Sequence, residues 1–290
     1  MVILLGLAAA MLYGTGDFLG GLATRGVPVL VVLMLAETAG VIVGLPVAMV
    51  SPGPVSLAGL AWGFSAGLIG GLGLIIFYVG LAAGPMSVVA PVSGLASTVL
   101  PVTVALAEGE RPGAGVYAGA LLCLAAIVLA SSTGEGNPVR ATNAARPRRL
   151  SATGRAVGYG IASGASFGTF FLLIRNAGES GGFWPVAAAR IAELAVVLVT
   201  AAVLRRSLVP RGAGSGLLLA AACAGTIDVV ANLFFVAATR TGMFGLAVVL
   251  ASLYPGVTVL LARTVLGERL RWAQRAGLGL AAIGIILVTA

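Results

Sequence analysis

Residues 95–119 read LASTVLPVTVALAEGERPGAGVYAG, and residues 250–277 start over with LASLYPGVTVLLARTVLGERLRWAQRAG. Leu95-Ala96-Ser97 and Val102-Thr103-Val104 match Leu250-Ala251-Ser252 and Val257-Thr258-Val259 at one constant offset. Gly109-Glu110-Arg111 and Ala118-Gly119 then match Gly267-Glu268-Arg269 and Ala276-Gly277. Upstream, Gly6 and Gly14-Thr15 recur as Gly160 and Gly168-Thr169, while Pro28 and Ala36-Glu37 recur as Pro185 and Ala192-Glu193. A single match between apolar segments is cheap; several sets kept in the same order are not. The chain reads as a duplication.

What is duplicated follows from composition. Of 290 residues, 59% are apolar and 9% charged, where a soluble domain carries about 25% charged residues. A membrane-crossing helix needs about 20 mostly apolar residues. Segments near that length occupy 2–23, 29–50, 57–82, 86–107, 114–131, 155–175, 184–204, 214–238, 243–266 and 273–289, separated by turn chemistry such as Ser51-Pro52-Gly53-Pro54 and Gly84-Pro85. The expectation is an all-α polytopic membrane protein of ten transmembrane helices. Residues 1–131 form one five-helix repeat, 132–154 a polar arginine-rich linker, and 155–290 the second repeat. An odd number of spans per repeat inverts the second relative to the first, as in many secondary transporters.

The composition also excludes chemistry. All 17 cationic side chains are arginine, and there is no lysine or histidine. That removes the phosphate-binding lysine of a nucleotide-hydrolysing loop, Schiff-base catalysis, the Ser-His and Cys-His dyads and the zincin motif. No cofactor or metal site is expected. Cys123 and Cys223 lie in apolar runs and read as small buried hydrophobes. The net charge of +8 comes from arginines in short loops, so nucleic acid is not an expected partner. The N-terminal apolar run lacks a basic leader and is longer than a signal peptide, so it reads as a retained helix.

Six polar side chains fall well inside the expected spans: Asp17, Glu37, Arg190, Glu193, Asp228 and Asn232. A charged side chain at mid-bilayer costs about 2.5–3.5 kcal/mol on insertion scales, and such groups face a bundle interior or a wet cavity. Arg190 and Glu193, three apart, share a helix face and can pair. Asp228 and Asn232, four apart, share another. Asp17 and Asp228 have no obvious partner nearby in sequence.

The stretch from Phe234 to Ala290 resembles the C-terminal signature of EamA-type transporters of the drug/metabolite transporter superfamily. Its marks are a proline in the ninth span, Gly-Glu-Arg before the tenth, and a glycine-punctuated last span. GPMSVVAPVSGLASTVLPVTVALAEGERP, from Gly84 to Pro112, resembles the same element in the first half, and YGTGDFLGGLATRG, from Tyr13 to Gly26, the first helix of a bacterial subgroup. The resemblance implies a central cavity lined by helices one, three, four, six, eight and nine. On that implication Tyr13, Asp17, Asp228, Asn232 and Tyr254 are candidate substrate-binding residues. Tyr78, Phe167 and Thr169 would add aromatic and hydroxyl lining. Glu37, Arg190 and Glu193, on the lateral helices two and seven, become secondary candidates. Pro91, Pro101 and Pro255 are expected to interrupt the fourth and ninth spans.

The implied function is secondary transport, in the export direction, of a small amino-acid-like or cationic organic solute by alternating access, with protons as a coupling ion. The expected setting is a bacterial inner membrane, with a small-molecule substrate and the lipid bilayer as partners, the protein acting as monomer or homodimer. The alternatives are a membrane scaffold and a protease. Gly14-Thr15-Gly16-Asp17 spells the GxGD motif of intramembrane aspartyl proteases. Those enzymes carry their aspartates on consecutive helices with GxGD second; here GTGD comes first and Asp228 follows seven helices later, so no enzyme is expected. Sidedness stays open. The connections around Arg25, Arg140 to Arg155, Arg205 to Arg211 and Arg269 to Arg275 outweigh the opposite set of Arg111, Arg175 and Arg240, which favours the former as cytoplasmic. Family members usually place both termini in the cytoplasm, on the other side.

Overall fold

A computed structural model describes residues 1–51, 53, 55–83, 86–111, 113–131, 148–177, 181–209 and 213–266, with 272, 276–277, 279–280, 283–284 and 287. Among these residues the chain is all helical: α1 (Val2–Ala23), α2 (Val29–Val50), α3 (Leu57–Ala83), α4 (Met86–Ala107), α5 (Ala114–Ser131), α6 (Arg148–Asn176), α7 (Trp184–Val203), α8 (Ser215–Thr241), α9 (Phe244–Ala251) and α10 (Tyr254–Leu266). Among the described residues, eight stretches are long and apolar enough to cross a membrane, the last of them, Phe244–Val265, drawn from α9 and α10. The protein is a multi-pass membrane protein. Most of the expected tenth span, 273–289, and the connection 132–147 lie outside the described residues.

Two boundaries differ from expectation. α6 begins at Arg148, ahead of the boundary expected at 155, because the juxtamembrane residues continue the helix. The ninth span is divided. Ser252 still donates to the Val248 carbonyl at 2.9 Å, but Leu253 tightens onto Leu250 at 3.2 Å, and Pro255 has no N–H with which to restore the α ladder. Pro91 and Pro101, expected to interrupt α4, are carried within a continuous helix, as is Pro46 in α2.

Helices meet through small residues, which in lipid replace the hydrophobic drive of a soluble core. α1 packs on α8 and on α9–α10; α6 packs on α3 and α4; α2 lies against α8 and α7 against α3, with α2 and α7 also touching. The outward surface is apolar, with Leu4, Ile42, Val199 and Leu219 exposed. On one face, side chains tie the α2–α3, α4–α5, α6–α7 and α8–α9 connections together. The Phe183 amide donates to Ser51 Oγ at 3.3 Å, Arg175 Nη1 meets Glu108 Oε2 at 2.6 Å, and Arg240 Nη2 donates to the Gly182 carbonyl at 2.6 Å. Glu110 reaches across to accept from the Phe244 and Gly245 amides at 2.9 and 3.0 Å, capping α9. A carboxylate there satisfies amides that have no intrahelical partner.

Candidate functional site

Close crossings bring the polar residues together. A Cβ on Gly16 would press on the Ala224 carbonyl, and a Cβ on Gly225 would overlap the Ala36 backbone. α8 therefore lies near enough to α1 for Asp228 and Asp17 to line one cavity, and near enough to α2 for Asp228 and Glu37 to share Arg190. On the other side, a Cβ on Gly70 of α3 would take the space of Glu193 Oε1. A side chain at Gly225 would drive α8 off α2, and one at Gly16 or Gly70 would require the neighbouring groups to give way.

At their centre is Arg190, the largest fully buried side chain. Its Nη1 lies 3.1 Å from Glu37 Oε2 and 2.8 Å from Asp228 Oδ2, and its Nε lies 3.0 Å from Glu193 Oε2. The contact to Glu193 is a charge contact rather than an aligned hydrogen bond, since neither atom has a hydrogen-bond partner. Three carboxylates on three helices thus share one guanidinium. Removing one partner of a buried pair typically costs about 3–5 kcal/mol, because the other charge is left stranded. Their exposures differ in a way that matters below: the side chains of Glu37 and Glu193 are 3% and 2% exposed, and that of Asp228 is 23% exposed.

Asp228 opens onto a cavity in the middle of the bundle, lined also by Tyr13, Asp17, Gly70, Leu74, Ser97, Phe167, Phe170, Phe171, Arg190, Glu193, Asn232 and Tyr254. Asn232 Nδ2 donates to the Asp228 carbonyl at 3.0 Å and to its Oδ2 at 3.2 Å. Asn232 Oδ1 and the hydroxyls of Tyr13 and Tyr254 are buried without a hydrogen-bond partner. Asp17 makes no hydrogen bond or ion pair among the described residues. An aromatic wall completes the site: Phe171 stacks on Phe235 at 4.5 Å between ring centres and sits 6.4 Å from Tyr13, which in turn meets Tyr254 edge-on at 6.4 Å.

The cavity therefore gathers Tyr13, Asp17, Phe167, Asp228, Asn232 and Tyr254 from the expected residues. It also takes in Arg190 and Glu193, which the lateral position assigned to helix seven had put behind it. Glu37 stands one contact away, through Arg190. Two expected residues are elsewhere. Tyr78 lies over Gly20 and packs edge-on against Phe77 in an apolar cluster with Val31 and Leu33. Thr169 returns its hydroxyl to the Ala165 carbonyl at 2.9 Å. The α6 face at 167, 170 and 171 points to the cavity, and position 169 falls off it. Phe170 and Phe171 were missed, although the duplication pointed at one of them. Phe171 follows Gly168 as Asp17 follows Gly14, so the two are repeat equivalents.

Residues 154–290 match the model of the EamA-like transporter family. The likeness to that family covers just under half of the chain. The EamA-like half supplies the aromatic wall, Arg190, Glu193, Asp228, Asn232 and Tyr254, while Tyr13, Asp17, Gly70, Leu74, Ser97 and Glu37 come from residues the match does not reach. A solved structure described only as the crystal structure of a protein is similar in fold, with a TM-score of 0.70 and 20% identity over 99% of this chain and 98% of its own. No curated protein matches the chain.

Proposed function

We propose that the protein is a secondary transporter that moves a small organic solute with a positive group through this cavity by alternating access, outward from the cell across a bacterial inner membrane. The observation that carries the reading is the charge imbalance of the site. Among the described residues, Glu37, Glu193 and Asp228 share one cation, Arg190, and Asp17 lines the same cavity with no partner of its own. Intramembrane carboxylates without partners mark ion and substrate pathways. A positive group, or a proton taken in exchange for it, completes the site, and the buried Tyr13 and Tyr254 hydroxyls offer it further polar contacts. The protease arrangement fits poorly: Asp228 Oδ2 is already held by Arg190 and Asn232, so it is not free to share a proton with Asp17 over a water.

Alternating access rests on two inverted five-helix repeats, with the tenth span closing the second. The packing supports such a relation. Exchanging α1 with α6, α2 with α7, α3 with α8 and α4 with the α9–α10 pair leaves the main pairings of neighbours in place. Gly14 faces Tyr254 and Val257 on α10 as Gly168 faces Ser97 and Pro101 on α4; Gly6 faces Ala247 and Leu250 as Gly160 faces Val89 and Val92. The test is a thermal-shift and proteoliposome uptake screen of the full chain against amino acids, nucleobases, polyamines and cationic aromatic amines. Stabilisation and saturable uptake of positively charged solutes is the expected result. A screen in which only neutral or anionic compounds are moved, or none is, would overturn the reading.

A further inference from the structure

The site as it stands already contains a cation. We infer that Arg190 occupies the ligand's place at Asp228 in the unloaded protein, and that the ligand's positive group displaces it there; this rests on the cation-transport reading above. Arg190 Nη1 contacts Asp228 at 2.8 Å and Glu37 at 3.1 Å, and Nε stays beside Glu193. Of these carboxylates, Asp228 is the one most open to a solute: it lines the cavity with its side chain 23% exposed, whereas Glu193 at the wall is 2% exposed and Glu37, off the wall, 3%. Exchange at Asp228 strands no charge. Arg190 keeps Glu37 and Glu193, and Asp228 gains the ligand while Asn232 still donates to it. Exchange at Glu37 would put a ligand where no cavity leads, and Glu193, though it touches the cavity wall, has a side chain only 2% exposed. The unpartnered buried Tyr13 hydroxyl and Asn232 Oδ1 line the same cavity and mark it as a polar ligand site independently of its acids. The wall of Phe167, Phe170 and Phe171 suits an aromatic or apolar body attached to the ammonium or guanidinium.

The exchange has a mechanical result. α7 packs mainly on α3 and α2, and α8 on α1 and α2, with little direct packing between them. The Arg190–Asp228 contact is a polar tie across that weak seam. A ligand that takes Asp228 from Arg190 unfastens α8 from α7 at the moment it binds, which gives it a differential affinity for the rearranged state, as any ligand-driven transition requires.

The experiment measures binding of phenethylammonium, with 2-phenylethanol as the uncharged control, to the full chain in nanodiscs by calorimetry. Because Arg190→Gln leaves Glu37 and Glu193 without a counter-ion, Arg190→Lys is measured beside it. Its compact ammonium keeps Glu193 but cannot span three carboxylates. The inference expects Arg190→Lys, and Arg190→Gln where it folds, to bind phenethylammonium about tenfold more tightly than the parent, and Asp228→Asn to lose binding. The alcohol binds to none. Equal affinity of parent and Arg190→Lys, with binding lost in Asp228→Asn, would overturn the competitor role and leave the cation site standing. Undiminished binding by Asp228→Asn would remove Asp228 from the site. Phenethylammonium bound by none of the four proteins would defeat both this inference and the cation reading beneath it.

Discussion

Asp17 and Arg190 are both ionisable groups within the bundle, and their removal should have opposite consequences. Asp17 holds nothing in place among the described residues, so Asp17→Asn should change stability by no more than about 0.5 kcal/mol, as for sites without a buried network. It should nonetheless abolish uptake of a cationic solute; wild-type uptake by the folded variant would exclude Asp17 from the mechanism. Arg190→Ala strands three carboxylates, and a loss of about 3–5 kcal/mol is expected, read as a collapsed melting temperature and aggregation on size exclusion. Arg175→Ala is the control. Its pair with Glu108 is 29% and 52% exposed, and such pairs contribute about 0–1 kcal/mol. At this scale the sequence was partly legible. The contact between Arg190 and Glu193 followed from their three-residue spacing, whereas that between Arg190 and Asp228 joins separate helices and left no trace in local spacing. Tyr78 and Thr169 were misplaced because an aromatic or a hydroxyl within a span carries no mark of which side it faces.

Among the helices, glycine decides where they cross. Gly14 sits against the Tyr254 carbonyl and the Val257 side chain, and Gly168 against the Ser97 carbonyl and the Pro101 ring, so Gly14→Val and Gly168→Val should cost about 1–3 kcal/mol through overpacking. Gly158, on α6 with open space where its Cβ would lie, should accept alanine without a measurable change in melting temperature. Equal tolerance at all three positions would mean that these crossings do not set the fold. The cap on α9 is a second test. Glu110→Ala should cost about 0.5–2 kcal/mol, like the loss of other N-terminal caps, and accelerate exchange at the Phe244 and Gly245 amides while leaving those of α3 unchanged. Helix existence was readable from apolar length alone. The behaviour of the prolines was not, because whether a helix absorbs the missing bond depends on its neighbours: Pro91 and Pro101 are absorbed, and Pro255 divides its span.

For the molecule as a whole, the contacts among Ser51, Glu108, Glu110, Arg175, Gly182, Arg240 and Phe244 make one face a closed belt. If that face opens during transport, joining Glu108→Cys to Arg175→Cys, whose native side chains meet at 2.6 Å, through a short bis-methanethiosulfonate linker should arrest uptake, and reductant should restore it. Uptake unaffected by complete cross-linking would show that the belt does not move. The linker 132–154 should be labelled from the same side as Arg205 and from the side opposite Glu108. That the α2–α3, α4–α5, α6–α7 and α8–α9 connections share a face agrees with the order of the spans in the sequence, but the belt itself was not legible, since its members come from four separate connections. The cavity below the belt leaves about 50 Å³ for the centres of water molecules, room for a few waters at roughly 10–15 Å³ each. Pockets that hold drug-sized molecules run to about 300–1,000 Å³. Loading an organic cation must therefore swell the bundle, and a swollen bundle does work against the lipids that surround it. Acyl chains that press harder from the side should weaken binding with no protein contact altered, so the affinity of this protein is a property of its bilayer as well as of its carboxylates.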